Sequence, residues 1–138
     1  MTVSKPRIVQ VVLDTTDCRR LAEFYRELFG LEYRAGDEPL PDGGQDDKDW
    51  LTLRNSSGWQ LAFQQTDGVR PSTWPAGEVP QMFHLDTAVA TPAELEQQRE
   101  RALALGATLL LDRTDDQDEP LYVFADPAGH PLCIFVGS

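Results

Sequence analysis

The chain has 138 residues, of which 41% are hydrophobic and 25% charged, a balance that suits one soluble globular domain and excludes disorder as a global description. Lysine and arginine number 12 against 23 Asp and Glu, a net charge of −11 that repels phosphate backbones and anionic lipid, so nucleic acid and membrane are excluded as expected partners. No apolar run reaches the roughly 18 residues of a membrane-spanning helix; the polar stretch Met1–Arg7 does not read as a secretory signal; Cys18 and Cys133 are expected as reduced thiols of a cytoplasmic protein.

In chain order, Arg7–Asp14 (RIVQVVLD) is short and β-branched and reads as a buried strand. Asp17 is the N-cap of a helix with Leu21, Phe24, Tyr25 and Leu28 on one face and Gly30 as its stop. Leu31–Arg34 reads as a short strand and Ala35–Lys48 as a loop. Trp50–Asn55 and Trp59–Gln65 form a hairpin turning at Ser56–Gly58. Thr66–Pro80 is a proline-rich loop, long enough to serve as a linker or a lid. The pattern then restarts. Gln81–Ala88 reads as a strand, and Thr91, Pro92 and Glu94 open a helix that stops at Gly106. Thr108–Arg113, Leu121–Ala125 and Leu132–Val136 read as strands, with a turn at Asp126–Gly129.

The same order of elements is thus written twice, with Gln10 and His84 in corresponding places 74 positions apart. The reading is an α+β domain over residues 1–138. Module 1 covers about 6–66, a loop 66–80, and module 2 covers 81–138. Each module is a βαβββ unit, and together they form a curved mixed sheet with helices on its convex side and a concave cleft.

Strand alternation phases that cleft. Val9, Val11, Leu13, Leu51, Leu53, Trp59, Leu61 and Phe63 are expected toward the helices, as are Phe83, Leu85, Leu121, Val123, Leu132, Ile134 and Val136. The opposite face supplies the candidate ligand-binding residues Gln10, Trp50, Thr52, Arg54, Gln60, Gln64, Tyr122, Phe124 and Cys133, with Trp74 added from the loop as a lid or a subunit contact. Arg54 is the cation of that set, either a clamp for a ligand anion or a partner of Asp14 or Asp86. His84 and Asp86, two apart on one face, are the candidate catalytic acid/base pair; the alternative is a histidine held by a hydrogen bond. Cys133 reads as a small buried residue or as a nucleophile if His84 lowers its pKa. Phe24 and Tyr25 are expected in the core, and His130 on the surface. The acidic runs at 46–49 and 115–118 lack calcium-loop spacing and read as solvated loops.

Several short motifs carry a resemblance. Gln10-Val-Val-Leu precedes Asp17; Ala22-Glu-Phe24-Tyr25 leads to Leu-Phe-Gly30-Leu; His84-Leu-Asp86, Ala104-Leu-Gly106-Ala and Asp126-Pro-Ala-Gly129-His follow in the second half. Together they resemble the vicinal oxygen chelate superfamily of glyoxalase I, bleomycin-resistance proteins and extradiol dioxygenases. Pro71-Ser-Thr-Trp74-Pro75 and Pro80 add a likeness to its glyoxalase-like domain subgroup.

The resemblance implies a metal site drawing one ligand from the first and last strand of each module. Those slots fall on Gln10, Ala62, His84 and Cys133. Ala62 supplies no donor, which leaves Gln10 and His84 as metal candidates, with His84 and Cys133 able to hold a soft ion beside Gln10. The expected function is binding of a small aromatic molecule, anionic in the reading of Arg54, without a complete metal site and with no cofactor. The alternatives are a metal-dependent lyase, isomerase or dioxygenase holding a divalent ion, and a metal-free enzyme using His84 and Asp86. Homodimers are common among such proteins, and a homodimer is expected here.

Overall fold

Asp17 caps the first helix as its sequence predicts: the carboxylate accepts from the Arg20 amide, and Gly30 closes the helix in the left-handed region at φ 65°. The second helix starts with a full capping box between Thr91 and Glu94. In the computed structural model, residues 5–44, 46–56 and 58–137 are described. The elements are β1 (Gln10–Thr15), α1 (Cys18–Phe29), β2 (Glu32–Tyr33), β3 (Trp50–Arg54), β4 (Gln60–Gln65), β5 (Leu85–Val89), α2 (Pro92–Ala104), β6 (Thr108–Arg113), β7 (Leu121–Ala125) and β8 (Pro131–Val136). The expected Ser56–Gly58 turn includes Ser57, and the polar N-terminal stretch includes Met1–Ser4; these five residues lie outside the described ones.

The α+β fold with two βαβββ modules is present. Backbone pairing runs within each module and gives two mixed four-stranded sheets, ordered β1-β4-β3-β2 and β5-β8-β7-β6. In each, the first strand runs parallel to the last. That parallel pair needs a crossover, which the helix and the hairpin strands provide. Helix α1 packs on β1, β3 and β4, and α2 on β5, β6 and β8.

One buried cluster joins the modules. Leu21, Tyr25, Leu28, Leu51, Leu53 and Phe63 meet Leu95, Ala102, Tyr122, Phe124, Leu132 and Ile134 in it. Polar links reinforce the junction. The Arg101 guanidinium donates to the Leu28 and Glu27 carbonyls at 3.2 and 2.8 Å, which satisfies open carbonyls at the end of α1. Tyr25 donates its hydroxyl proton to Asp126, and the His130 ring Nε2 lies 2.7 Å from the Asp14 carbonyl. His130 therefore links the modules rather than standing free on the surface.

Four strand expectations are corrected. β1 begins at Gln10, so Val9 precedes it and is exposed. β4 begins at Gln60, and Trp59 is exposed instead of facing a helix. β5 begins at Leu85, and Phe83 stands in the approach to it, 75% exposed. The phase of β7 is inverted. Tyr122 and Phe124 pair with Ile134 and Leu132 on the helix side, while Val123 lies opposite Cys133 on the other face. The Tyr122 hydroxyl reaches Glu96 of α2, and the Arg99 guanidinium lies over its ring. Tyr122 and Phe124 are thus core residues and not cleft residues.

Candidate functional site

The proline-rich loop closes on itself. Thr73 receives the Val79 amide on its hydroxyl at 2.9 Å, and its own amide donates to the Val79 carbonyl at 2.8 Å. The Trp74–Pro75 peptide within this turn is cis. The two arms of the loop, Gly68–Ser72 and Pro80–Phe83, flank β1. The Asp126–Gly129 turn closes the third side. Gly129 has φ 97°, and a Cβ there would collide with Pro71, so a glycine is what lets the turn approach the loop so closely.

These three walls bound a cavity of about 780 Å³. Its apolar lining is unusual for its exposure: Ile8, Val12, Trp59, Met82 and Phe83 all belong to it, and Met82 and Phe83 are 87% and 75% exposed. Gln10, Gln81, Ser72 and His130 supply polar groups, and Arg70 and Asp14 supply one charge of each sign. An apolar wall with a few orienting polar groups is the common makeup of a small-molecule site.

The residues expected to line one cleft are distributed over several places. Gln10 lines this cavity. Gln60 and Asp86 line a second, smaller space of about 410 Å³ between the start of β4 and β5. Arg54 lies in a polar groove at the far end of β3, with Arg7 and Glu32, and stands opposite Glu32 in the β2–β3 register. Arg54 does not line the apolar cavity, although Ile8 and Trp59 line both spaces. Trp50, Thr52 and Gln64 do share one face of the β3–β4 pair with Ala62, as their register requires, but Thr52 is buried, receives the Trp50 indole N–H at 3.2 Å, and donates its amide to Asp37.

The second module does assemble a cluster. Asp86 and Cys133 are register partners across β5 and β8. His84 Nε2 lies 3.1 Å from Asp86 Oδ1, and His84 Nδ1 lies 2.8 Å from Gln81 Oε1. The Trp74 ring lies parallel to the His84 ring, with centroids 6.4 Å apart. So Trp74 supports His84 and does not line the apolar cavity. Burial, and then the Asp86 carboxylate, push the Cys133 thiol up to about 11. That is the reverse of what nucleophile activation by His84 requires.

Of the four metal slots, one lacks a donor. Ala62 is fully buried and offers no donor, and Gln10 belongs to the cavity beside β1. Among the described residues, the group of three potential donors is His84, Asp86 and Cys133, whose ligand atoms lie within 4.8 Å of one another. Asp86 is the member no slot implied.

Sequence reasoning missed Arg70, Trp59 and Phe83 as cavity residues. The signal for Arg70 was its place on the loop flagged as a lid. Trp59 and Phe83 were assigned to strands that begin one and two residues later.

A family model described as a glyoxalase-like domain matches residues 10–135. Solved structures share the fold. One is a glyoxalase/bleomycin resistance protein/dioxygenase family enzyme from Burkholderia phytofirmans PsJN, 18% identical with a TM-score of 0.67, covering 95% of this chain and 98% of that one. Another is the fosfomycin resistance protein FosX from Mesorhizobium loti, 13% identical with a TM-score of 0.68, covering 98% and 94%. A third is a variant of FosX from Listeria monocytogenes complexed with Mn(II) and 1S,2S-dihydroxypropylphosphonic acid, 17% identical with a TM-score of 0.69, covering 99% and 95%. No curated protein matches the chain in sequence.

Proposed function

The chain belongs to the glyoxalase-like domain family, and from that premise we propose that it binds a small, largely aromatic molecule bearing an anionic group in the cavity beside β1. One observation carries this reading: five large apolar side chains, Ile8, Val12, Trp59, Met82 and Phe83, are left exposed around a single cavity. Exposed apolar area of this kind is costly to leave in water and marks binding surfaces. Arg70, the arginine of that lining, takes the role of anion partner that the sequence assigned to Arg54. The fold itself does not choose the ligand, since one fold hosts many functions.

The reading needs no metal. It also suits a homodimer, because a second copy laid against the same rim would remove Met82 and Phe83 from water. Both cysteines are free, which fits a reducing cytoplasm.

Fluorescence titration of the chelator-treated protein with 1-naphthoate, and with the uncharged 1-naphthalenemethanol, tests the proposal. Saturable naphthoate binding is expected, weakened about tenfold or more by Phe83→Ala. Arg70→Ala should weaken naphthoate but leave naphthalenemethanol unchanged. Absence of saturable binding of either compound, or binding indifferent to both substitutions, overturns it.

A further inference from the structure

We propose that the ligand of the cavity beside β1 is an N-acylated aromatic amino acid, held by the free backbone edge of β1 at Val12. This ligand class rests on the cavity being the binding site and narrows what that site takes.

β1 is an edge strand: it pairs with β4 on one side and lies at the end of its sheet. Successive residues of a strand aim their N–H and C=O groups at opposite edges. The bonds to the β4 side settle the phase. The Val9 carbonyl accepts the Gln60 amide at 3.3 Å, and the Thr15 carbonyl accepts the Thr66 amide at 2.8 Å. Val9, Val11, Leu13 and Thr15 therefore face β4, while Gln10, Val12 and Asp14 face the other way. The Asp14 carbonyl agrees. It lies 2.7 Å from His130 Nε2, which must be the donor, since a carbonyl only accepts. Among the described residues, no hydrogen-bond partner meets the N–H or C=O of Gln10 and Val12, or the Asp14 N–H.

That open edge is a wall of the cavity, and every residue from Gln10 to Asp14 lines it. Pro71, Pro80 and Pro131 of the other walls have no N–H to offer the edge carbonyls. His130 ends the free stretch at the Asp14 carbonyl, and the two loop arms flank it. The space thus admits a short extended piece and not a partner strand. Its volume of about 780 Å³ is that of a small-molecule site.

The chemistry of the occupant follows from the groups left open. Val12 presents a donor and an acceptor from one residue, the pair that an antiparallel residue exchanges with its opposite number. An N-acyl amino acid carries the matching pair. Its amide N–H donates to the Val12 carbonyl, and one carboxylate oxygen accepts the Val12 N–H. The other oxygen is left for Arg70, and the ring for the apolar lining of Trp59, Met82 and Phe83.

The test uses calorimetry on the full chain with N-acetyl-L-phenylalanine and with O-acetyl-L-phenyllactate, the ester in which oxygen replaces the N–H. 1-Naphthoate is titrated in parallel. The amide should bind about tenfold or more tighter than the ester, because the ester leaves the Val12 carbonyl unmet. Val12→Pro removes an N–H that no ladder bond uses, a position where an edge strand tolerates proline. It should bind N-acetyl-L-phenylalanine about tenfold more weakly than Val12→Ala, which trims the same side chain and keeps the N–H. Amide hydrogen exchange of the wild type keeps the test decisive if Val12→Pro does not fold. The free protein should exchange the Val12 amide about tenfold or more faster than those of Val11 and Leu13, and N-acetyl-L-phenylalanine should slow it. A Val12 amide already protected in the free protein, as a second copy paired along β1 would make it, overturns the proposal. Naphthoate binding with amide and ester equal overturns the ligand class alone. No binding of any of the three compounds overturns the cavity as a binding site.

Discussion

Tyr25 of α1 donates its hydroxyl proton to Asp126 Oδ2 at 2.7 Å, across 101 positions of sequence. Both residues are buried. The other oxygen of Asp126 accepts the amides of Ala128 and His130 at 2.8 and 3.0 Å, so one carboxylate shapes the turn between β7 and β8 and ties it to the first module. Burial, with Asp126 beside it, drives the Tyr25 hydroxyl well above its ordinary pKa and keeps it a donor. Tyr25→Phe removes that donor and leaves a buried carboxylate oxygen unmet, which costs about 1–3 kcal/mol. Urea unfolding monitored by circular dichroism checks this, and a loss near zero contradicts it.

The contact between Gly129 and Pro71 holds the cavity's third wall. Gly129→Ala combines a strained φ with a Cβ placed onto Pro71. It should destabilise the fold by about 1 kcal/mol or more and weaken naphthoate binding together with it. Gly68→Ala is the matched control. Gly68 lines the same cavity, and a Cβ there meets nothing within 4 Å. Its unfolding midpoint should stay at the wild-type value.

Phe83 separates binding from stability. At 75% exposure it contributes little to the core. Phe83→Ala should shift the unfolding free energy by no more than about 0.5 kcal/mol, while cutting naphthoate affinity about tenfold. Parallel loss of stability and affinity would instead make Phe83 a packing residue.

Cys18 predicts an alkaline weakness. Its thiol donates to the Phe63 carbonyl at 3.2 Å, and burial, above all other causes, raises its pKa from 9.0 to about 11. The unfolded chain therefore releases this proton first. The stability is fully present below pH 9 and is lost as pH climbs toward 11. Between pH 9 and 10 that amounts to about 1 kcal/mol. Unfolding measured at both pH values should show Cys18→Ala losing less than the wild type does.

Module 1 was legible because its strands alternate. Leu51, Leu53 and Phe63 are fully buried on the helix side, and Gln60 and Gln64 lie on the other, as period two requires. β7 was not legible. Its sequence LYVFA is apolar at every position, and Tyr122, Val123 and Phe124 are all buried, so alternation carried no phase. Only register with β8 and the reach of Tyr122 to Glu96 decide it. Both helices were readable from their caps. His84 and Asp86, two apart in sequence, lie 3.1 Å apart in space, whereas Arg70 enters the cavity through loop geometry that no periodicity encodes.

The most direct measurement is a backbone amide chemical-shift titration of the chelator-treated protein with 1-naphthoate. Saturating shifts are expected at Val12, Arg70, Met82, Phe83 and Gly129, the walls of one cavity, with Arg7, Arg54 and Ser56 in the polar groove unmoved. Shifts confined to that groove, or a spectrum unchanged at saturating naphthoate, would contradict it.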